Sequence, residues 1–171
     1  MPFLPAAARP LCIALALGLL AGCGGKTARP AAPAATGTGP LLSPGHQQAG
    51  AAVTIRALGL VGTPYRYGGN TPEGGFDCSG LVNYVFADML DLRLPRTSRQ
   101  LSQIQGPRIP PERLVSGDLV FFGSGADVWH VGIYVGEGRF VHAPSTGGTV
   151  RLDALDNPYW RRHYSGAKRV L

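Results

Sequence analysis
In Gly74-Gly75-Phe76-Asp77-Cys78-Ser79-Gly80-Leu81-Val82 a glycine-rich loop runs directly into a helical pattern, with a cysteine at the junction. Downstream, Leu81, Val82, Val85, Phe86, Met89 and Leu90 recur at steps of three and four while Asn83, Asp88 and Asp91 fall between them, which predicts an amphipathic helix. Asp77 is its expected N-cap. Cys78 then stands in the first turn, where unpaired backbone N–H groups and the positive end of the helix dipole favour an anion. A thiolate is such an anion, so the position predicts a reactive Cys78 with a lowered pKa, especially beside a histidine. Most cysteines on an apolar helix face are small core residues. The glycine-rich helix start argues against that reading here.

Toward the N-terminus, Arg9 precedes an apolar run from Leu11 to Leu20 and then Ala21-Gly22-Cys23. Ten apolar residues are too few to span a bilayer and suit a signal-peptide core. Leu20-Ala21-Gly22-Cys23 resembles the lipobox of bacterial lipoproteins, which implies cleavage after residue 22 and lipidation of Cys23. Gly24 follows where a retention-type Asp would stand, so the resemblance implies an outer-membrane anchor with the domain in the periplasm. Cys12 leaves with the signal and Cys23 carries lipid. Cys78 remains as the one free thiol in an oxidising compartment, where a leftover thiol reads as reactive.

Residues 23–45 are rich in Pro, Ala, Gly and Thr, which predicts a disordered tether. Residues 46–171 are long enough for one domain with its own core. The formal net charge is +6, of which the signal removes only Arg9. A basic chain suits nucleic acid or an anionic surface. Behind an export signal the expected acidic partner is cell wall or lipid, with no nucleic acid. Arg161, Arg162, Lys168 and Arg169 read as a solvated cluster, and a regulatory protein partner is left open.

Residues 47–60 read as a helix ended by Gly62 and Pro64. Pro64-Tyr65-Arg66-Tyr67-Gly68-Gly69 is a turn that can carry the Tyr65 phenol to the thiol, as a donor to a developing oxyanion. Residues 94–105 read as a loop with a partial helix. Gly117-Asp118-Leu119-Val120-Phe121-Phe122-Gly123 reads as a strand led by a turn, with Asp118 a turn residue and not an acid catalyst. In Trp129-His130-Val131-Gly132-Ile133-Tyr134-Val135-Gly136 apolar residues alternate with His130, Gly132, Tyr134 and Gly136, and Glu137-Gly138 turns the chain into Arg139-Phe140-Val141-His142-Ala143. Short hairpin-linked strands after helices predict an α+β domain in which N-terminal helices pack on an antiparallel sheet.

Such a hairpin brings His130 and His142 together, with Gly132 and Gly136 leaving open space on their face. Two histidines sharing a sheet face next to a thiol suit a Cys–His–His constellation, in which His130 takes the thiol proton and His142 orients its ring; the competing reading is that both are structural. Zinc held by Cys78, His130 and His142 is disfavoured, because neither HExxH nor paired CxxC is present. His46 and His163 have no partner pattern and read as surface residues.

Six motifs in this order, Tyr65-Arg66-Tyr67-Gly68-Gly69, Phe76 to Val82, Leu94-Pro95-Arg96-Thr97-Ser98, Gly117 to Phe122, His130 to Gly136 and Phe140 to Ala143, resemble the NlpC family of cell-wall cysteine peptidases. Asn157-Pro158-Tyr159-Trp160-Arg161-Arg162-His163-Tyr164 is similar to the ending of its lipoprotein endopeptidases. The resemblance implies a papain-like fold, Cys78 as nucleophile, His130 as base, His142 as its orienting partner and Tyr65 beside the thiol. It implies hydrolysis of amide bonds in peptidoglycan stem peptides, favouring the D-alanyl to diaminopimelate cross-link, with no metal or organic cofactor. Phe76 departs from the more usual Ile. No SH3-like wall-binding domain is read ahead of the catalytic part, which favours polymeric wall as substrate. Two other outcomes stay open: a catalytically silent peptidoglycan-binding lipoprotein, or a thiol acyltransferase on the same fold.

Overall fold
The computed structural model describes residues 42–145 and 148–171. The expected signal peptide, Cys23 and most of the expected tether lie outside these residues. Helix α1, Pro44–Leu58, starts where the Ser43 side chain accepts from the His46 N–H and Pro44 supplies a preset φ at its first position. Pro44 and Gly45, read as tether, therefore belong to the domain. A two-residue hairpin, β1 (Asn70–Thr71) with β2 (Gly75–Phe76), leads into α2, Cys78–Leu90. Short α3, Ser98–Ser102, follows the loop after α2.

The sheet comprises β3 (Leu119–Ser124), β4 (Asp127–Gly136), β5 (Arg139–His142), β6 (Arg151–Ala154) and β7 (Tyr164–Lys168), with α4 (Pro158–His163) between the last two. Its order is β6-β5-β4-β3-β7, antiparallel throughout. The hairpin turns at Glu137 and Gly138, whose φ values of 52° and 69° are those of a tight left-handed turn. The expected α+β architecture is observed. Strands β6 and β7 and helix α4 lie in a stretch for which the sequence predicts no elements.

Period-two alternation gives the sheet two buried faces. Leu119, Phe121, Val131, Ile133 and Val141 meet Val53, Ala57, Val82, Val85 and Phe86 of α1 and α2. Val120, Phe122, Tyr134, Phe140 and Ala167 meet Trp160 of α4 on the other face. Asp118 is a turn residue as expected, accepting from the Val115 N–H, but it is also fully buried and ion-paired to Arg169 at 2.7 Å. Arg169 and Lys168, which donates to the Gly106 carbonyl, are thus structural and not a free basic patch.

Candidate active site
The nucleophile position is built by the turn before α2. The Asp77 carboxylate accepts from the Gly80 N–H at 2.6 Å, capping the helix, and also from the Gly68 N–H at 2.9 Å, tying the tyrosine loop to it. Arg96 grips the same carboxylate with both terminal nitrogens, at 2.9 and 2.7 Å. Burial alone would raise the Asp77 pKa, but Arg96 and the Gly80 N–H outweigh it and hold the carboxylate below its usual range. Arg96 stands in the Leu94–Ser98 motif, but nothing in that motif names Asp77 as its partner.

Cys78 is half-buried and opens into a cleft of about 540 Å³ together with Tyr65 and His130. Burial pushes its thiol pKa up, against the opposing pull of the Val131, Ser79 and Cys78 backbone N–H groups. The lowered thiol pKa expected from the helix dipole is therefore corrected: at rest desolvation wins. The Tyr65 hydroxyl is also shifted up, first by burial and then by the Cys78 charge, so it stays a donor.

Sheet geometry explains how a helix on one face meets histidines on the other. Gly117 N–H donates to the Tyr134 carbonyl and Tyr134 N–H to the Asp118 carbonyl, so even-numbered residues of β4 bond toward β3 and odd-numbered ones toward β5. Strand β5 ends at His142, leaving the Val131 N–H free to approach the sulfur. At that open edge Cys78 and His130 line one cleft.

His130 Nε2 lies 2.8 Å from His142 Nδ1. The sequence expectation that the hairpin joins the two rings is met, diagonally, since Ile133 pairs with Val141. The open space expected over Gly132 is absent: a Cβ there would meet the Phe140 ring at 2.6 Å and His142 Cβ at 3.3 Å. Gly136 instead serves a backbone φ of 101°. His142 is fully buried, and its Nε2 lies 3.0 Å from Asp153 Oδ2. The same oxygen accepts from Trp160 Nε1 at 2.8 Å and from Arg151 at 3.0 and 3.1 Å. Trp160 stacks on His130, with centroids 5.3 Å apart and planes 21° apart.

Burial, with His142 and Arg151 nearby, pushes His130 down to about 3; burial pushes His142 down to about 4 despite Asp153. Both rings are neutral at pH 7. His163 is half-buried against Trp129 and Tyr159 and is not the free surface residue expected, and His46 is half-buried in the first turn of α1. Neither reaches the cleft.

The NlpC/P60 family profile matches residues 62–169, the span holding every member of this cleft. The chain belongs to the NlpC/P60 family. It is 48% identical over 117 residues to the murein DD-endopeptidase MepH of Escherichia coli, a match covering 65% of this chain and 42% of MepH. The E. coli murein DD-endopeptidase/LD-carboxypeptidase MepS is 41% identical over 110 residues, covering 64% of this chain and 57% of MepS. The match thus spans about half the length of these curated relatives. Among solved structures, the peptidoglycan hydrolase RipB of Mycobacterium tuberculosis superposes with a TM-score of 0.64 at 30% identity, covering 77% of this chain and 69% of RipB. Papain-like NlpC/P60 architecture is thereby shared along with sequence.

Proposed function
We propose that this NlpC/P60 chain is a cysteine endopeptidase of peptidoglycan that cleaves stem-peptide amide bonds, with the D-alanyl to diaminopimelate cross-link as the favoured bond. The observation that carries the reading is the single cleft holding Cys78, His130 and Tyr65, with His142 hydrogen-bonded behind His130. The names of the murein endopeptidase relatives support the substrate class.

In the proposed cycle His130 takes the Cys78 proton as the sulfur attacks the scissile carbonyl, converting a neutral pair into thiolate and imidazolium only as the bond forms. The Cys78 N–H at the helix start and the Tyr65 hydroxyl stabilise the oxyanion, each such donor being worth roughly 2.7–4 kcal/mol in comparable sites. His130 then protonates the leaving amine, and water, deprotonated by the same ring, releases the acyl group from sulfur. Export and lipidation at Cys23, with the domain in the periplasm on the outer membrane, rest on Leu20-Ala21-Gly22-Cys23 alone.

Purified protein incubated with isolated sacculi should release new muropeptides, read by mass spectrometry as products bearing a free D-alanyl carboxylate and a free diaminopimelate amine. Cys78→Ala should abolish release while EDTA leaves it unchanged. Undigested sacculi, or digestion by the Cys78→Ala protein, would refute the assignment.

A further inference from the structure
Behind the two histidines lies a carboxylate that the sequence reading did not use. Asp153 Oδ2 is met by His142 Nε2, Trp160 Nε1 and two nitrogens of Arg151. Indole and guanidinium nitrogens only donate, so this oxygen is an acceptor. Burial would raise the Asp153 pKa, but the bonds from Trp160 and Arg151, with His142, hold it below the usual range.

An acceptor at this place dictates proton positions one ring at a time. His142 must carry its proton on Nε2 to satisfy Asp153. Its Nδ1 is then a lone pair and can only accept from His130 Nε2, 2.8 Å away, which must therefore carry the other ring's proton. What remains is Nδ1 of His130, unprotonated, on a ring that lines the cleft with Cys78. Were the order reversed, His130 Nδ1 would carry a proton and could not accept one from the thiol.

We propose that Asp153 is a positioning residue that fixes the tautomers of both histidines, so that His130 offers its Nδ1 lone pair to Cys78. The proposal deepens the Cys–His–His reading above and rests on it. Arg151 and Trp160 hold the carboxylate from β6 and α4. When the thiol S–H bond breaks and the N–H bond forms at His130 Nδ1, the positive charge appears on a ring chain ending in that carboxylate. No proton needs to move to Asp153 itself.

The test uses full-length protein labelled with 15N-histidine, and ring 1H–15N correlations at pH 7. The groups facing the pair are known: Asp153 and Arg151 from β6, Trp160 from α4, and Cys78 and Tyr65 across the cleft. Both wild-type histidines should be neutral with the proton on Nε2; a proton on Nδ1 of either ring overturns the proposal whatever any variant does. Asp153→Leu removes the acceptor and should move most of the rings to the Nδ1–H tautomer, slowing iodoacetamide alkylation of Cys78 by roughly 10-fold. Asp153→Asn keeps an oxygen where Trp160 and Arg151 hold it, and should preserve the tautomers with alkylation within a few-fold of wild type. A folded Asp153→Leu protein with unchanged tautomers and unchanged alkylation also overturns it. Neither readout needs peptidoglycan, so failure to digest sacculi would sink the peptidase reading and leave this one standing.

Discussion
At neutral pH the cleft rests with its thiol protonated and both imidazoles uncharged, because burial penalises every charged form. The same penalty makes the fold acid-sensitive. Above about 6.5 both histidines are neutral in folded and unfolded chains, and they do not alter stability with pH. As pH falls from there toward about 4, the unfolded chain binds protons that the folded rings refuse, so stability drops across that window. Melting temperature should therefore fall steadily between these pH values, and a His130→Gln, His142→Gln double variant should fall less. An equal slope in the variant would show that other groups govern the acid response. The thiol illustrates how far local pattern carries: the N-cap at Asp77 and the first-turn cysteine were legible, because both depend on neighbours in sequence. The direction of the Cys78 shift was not, since desolvation comes from β4 and the cleft walls.

Among elements, α2 and the β4–β5 hairpin were readable from apolar periodicity and the Glu137-Gly138 turn, and they carry the nucleophile and both rings. Strand β6 and helix α4 were not. Arg151-Leu152-Asp153-Ala154 does alternate polar and apolar residues, the signal that could have revealed a fourth strand beside His142. It is too short, and too polar, to stand out without its partner. The junction of α2 with the glycine loop gives a sharp check. A Cβ on Gly80 would collide with the Gly69 carbonyl oxygen and approach Asp77 Oδ1 to 3.1 Å. Helix propensity would favour Ala there by up to about 1 kcal/mol, but overpacking against backbone costs roughly 1–3 kcal/mol. Gly80→Ala should lower the unfolding free energy in urea by about 1–2 kcal/mol, the clash prevailing. A gain in stability would mean that the loop does not press on the helix.

Across the molecule, helices α1 and α2 cover one face of the sheet and α4 the other, and the cleft opens where β5 stops short of β4. That ending lets a cysteine from one layer share a cleft with a histidine from the opposite layer, an arrangement no one-dimensional pattern contains. Fold class and the Cys78, His130, His142 and Tyr65 set were legible because each sits in a motif of its own. The Arg96 clamp and the Asp153 carboxylate were hidden because no local pattern joins either to its partner, 19 residues away at the Asp77–Arg96 contact and 11 at the His142–Asp153 contact. The account stands on Cys78 forming an acyl bond with the stem peptide. Reaction with a purified cross-linked muropeptide, quenched in acid and read by peptide mass mapping, should show a stem-peptide acyl mass on the Cys78 peptide and on no other. Product release by a Cys78→Ala protein, or turnover by wild type with an adduct on a different residue, would contradict it.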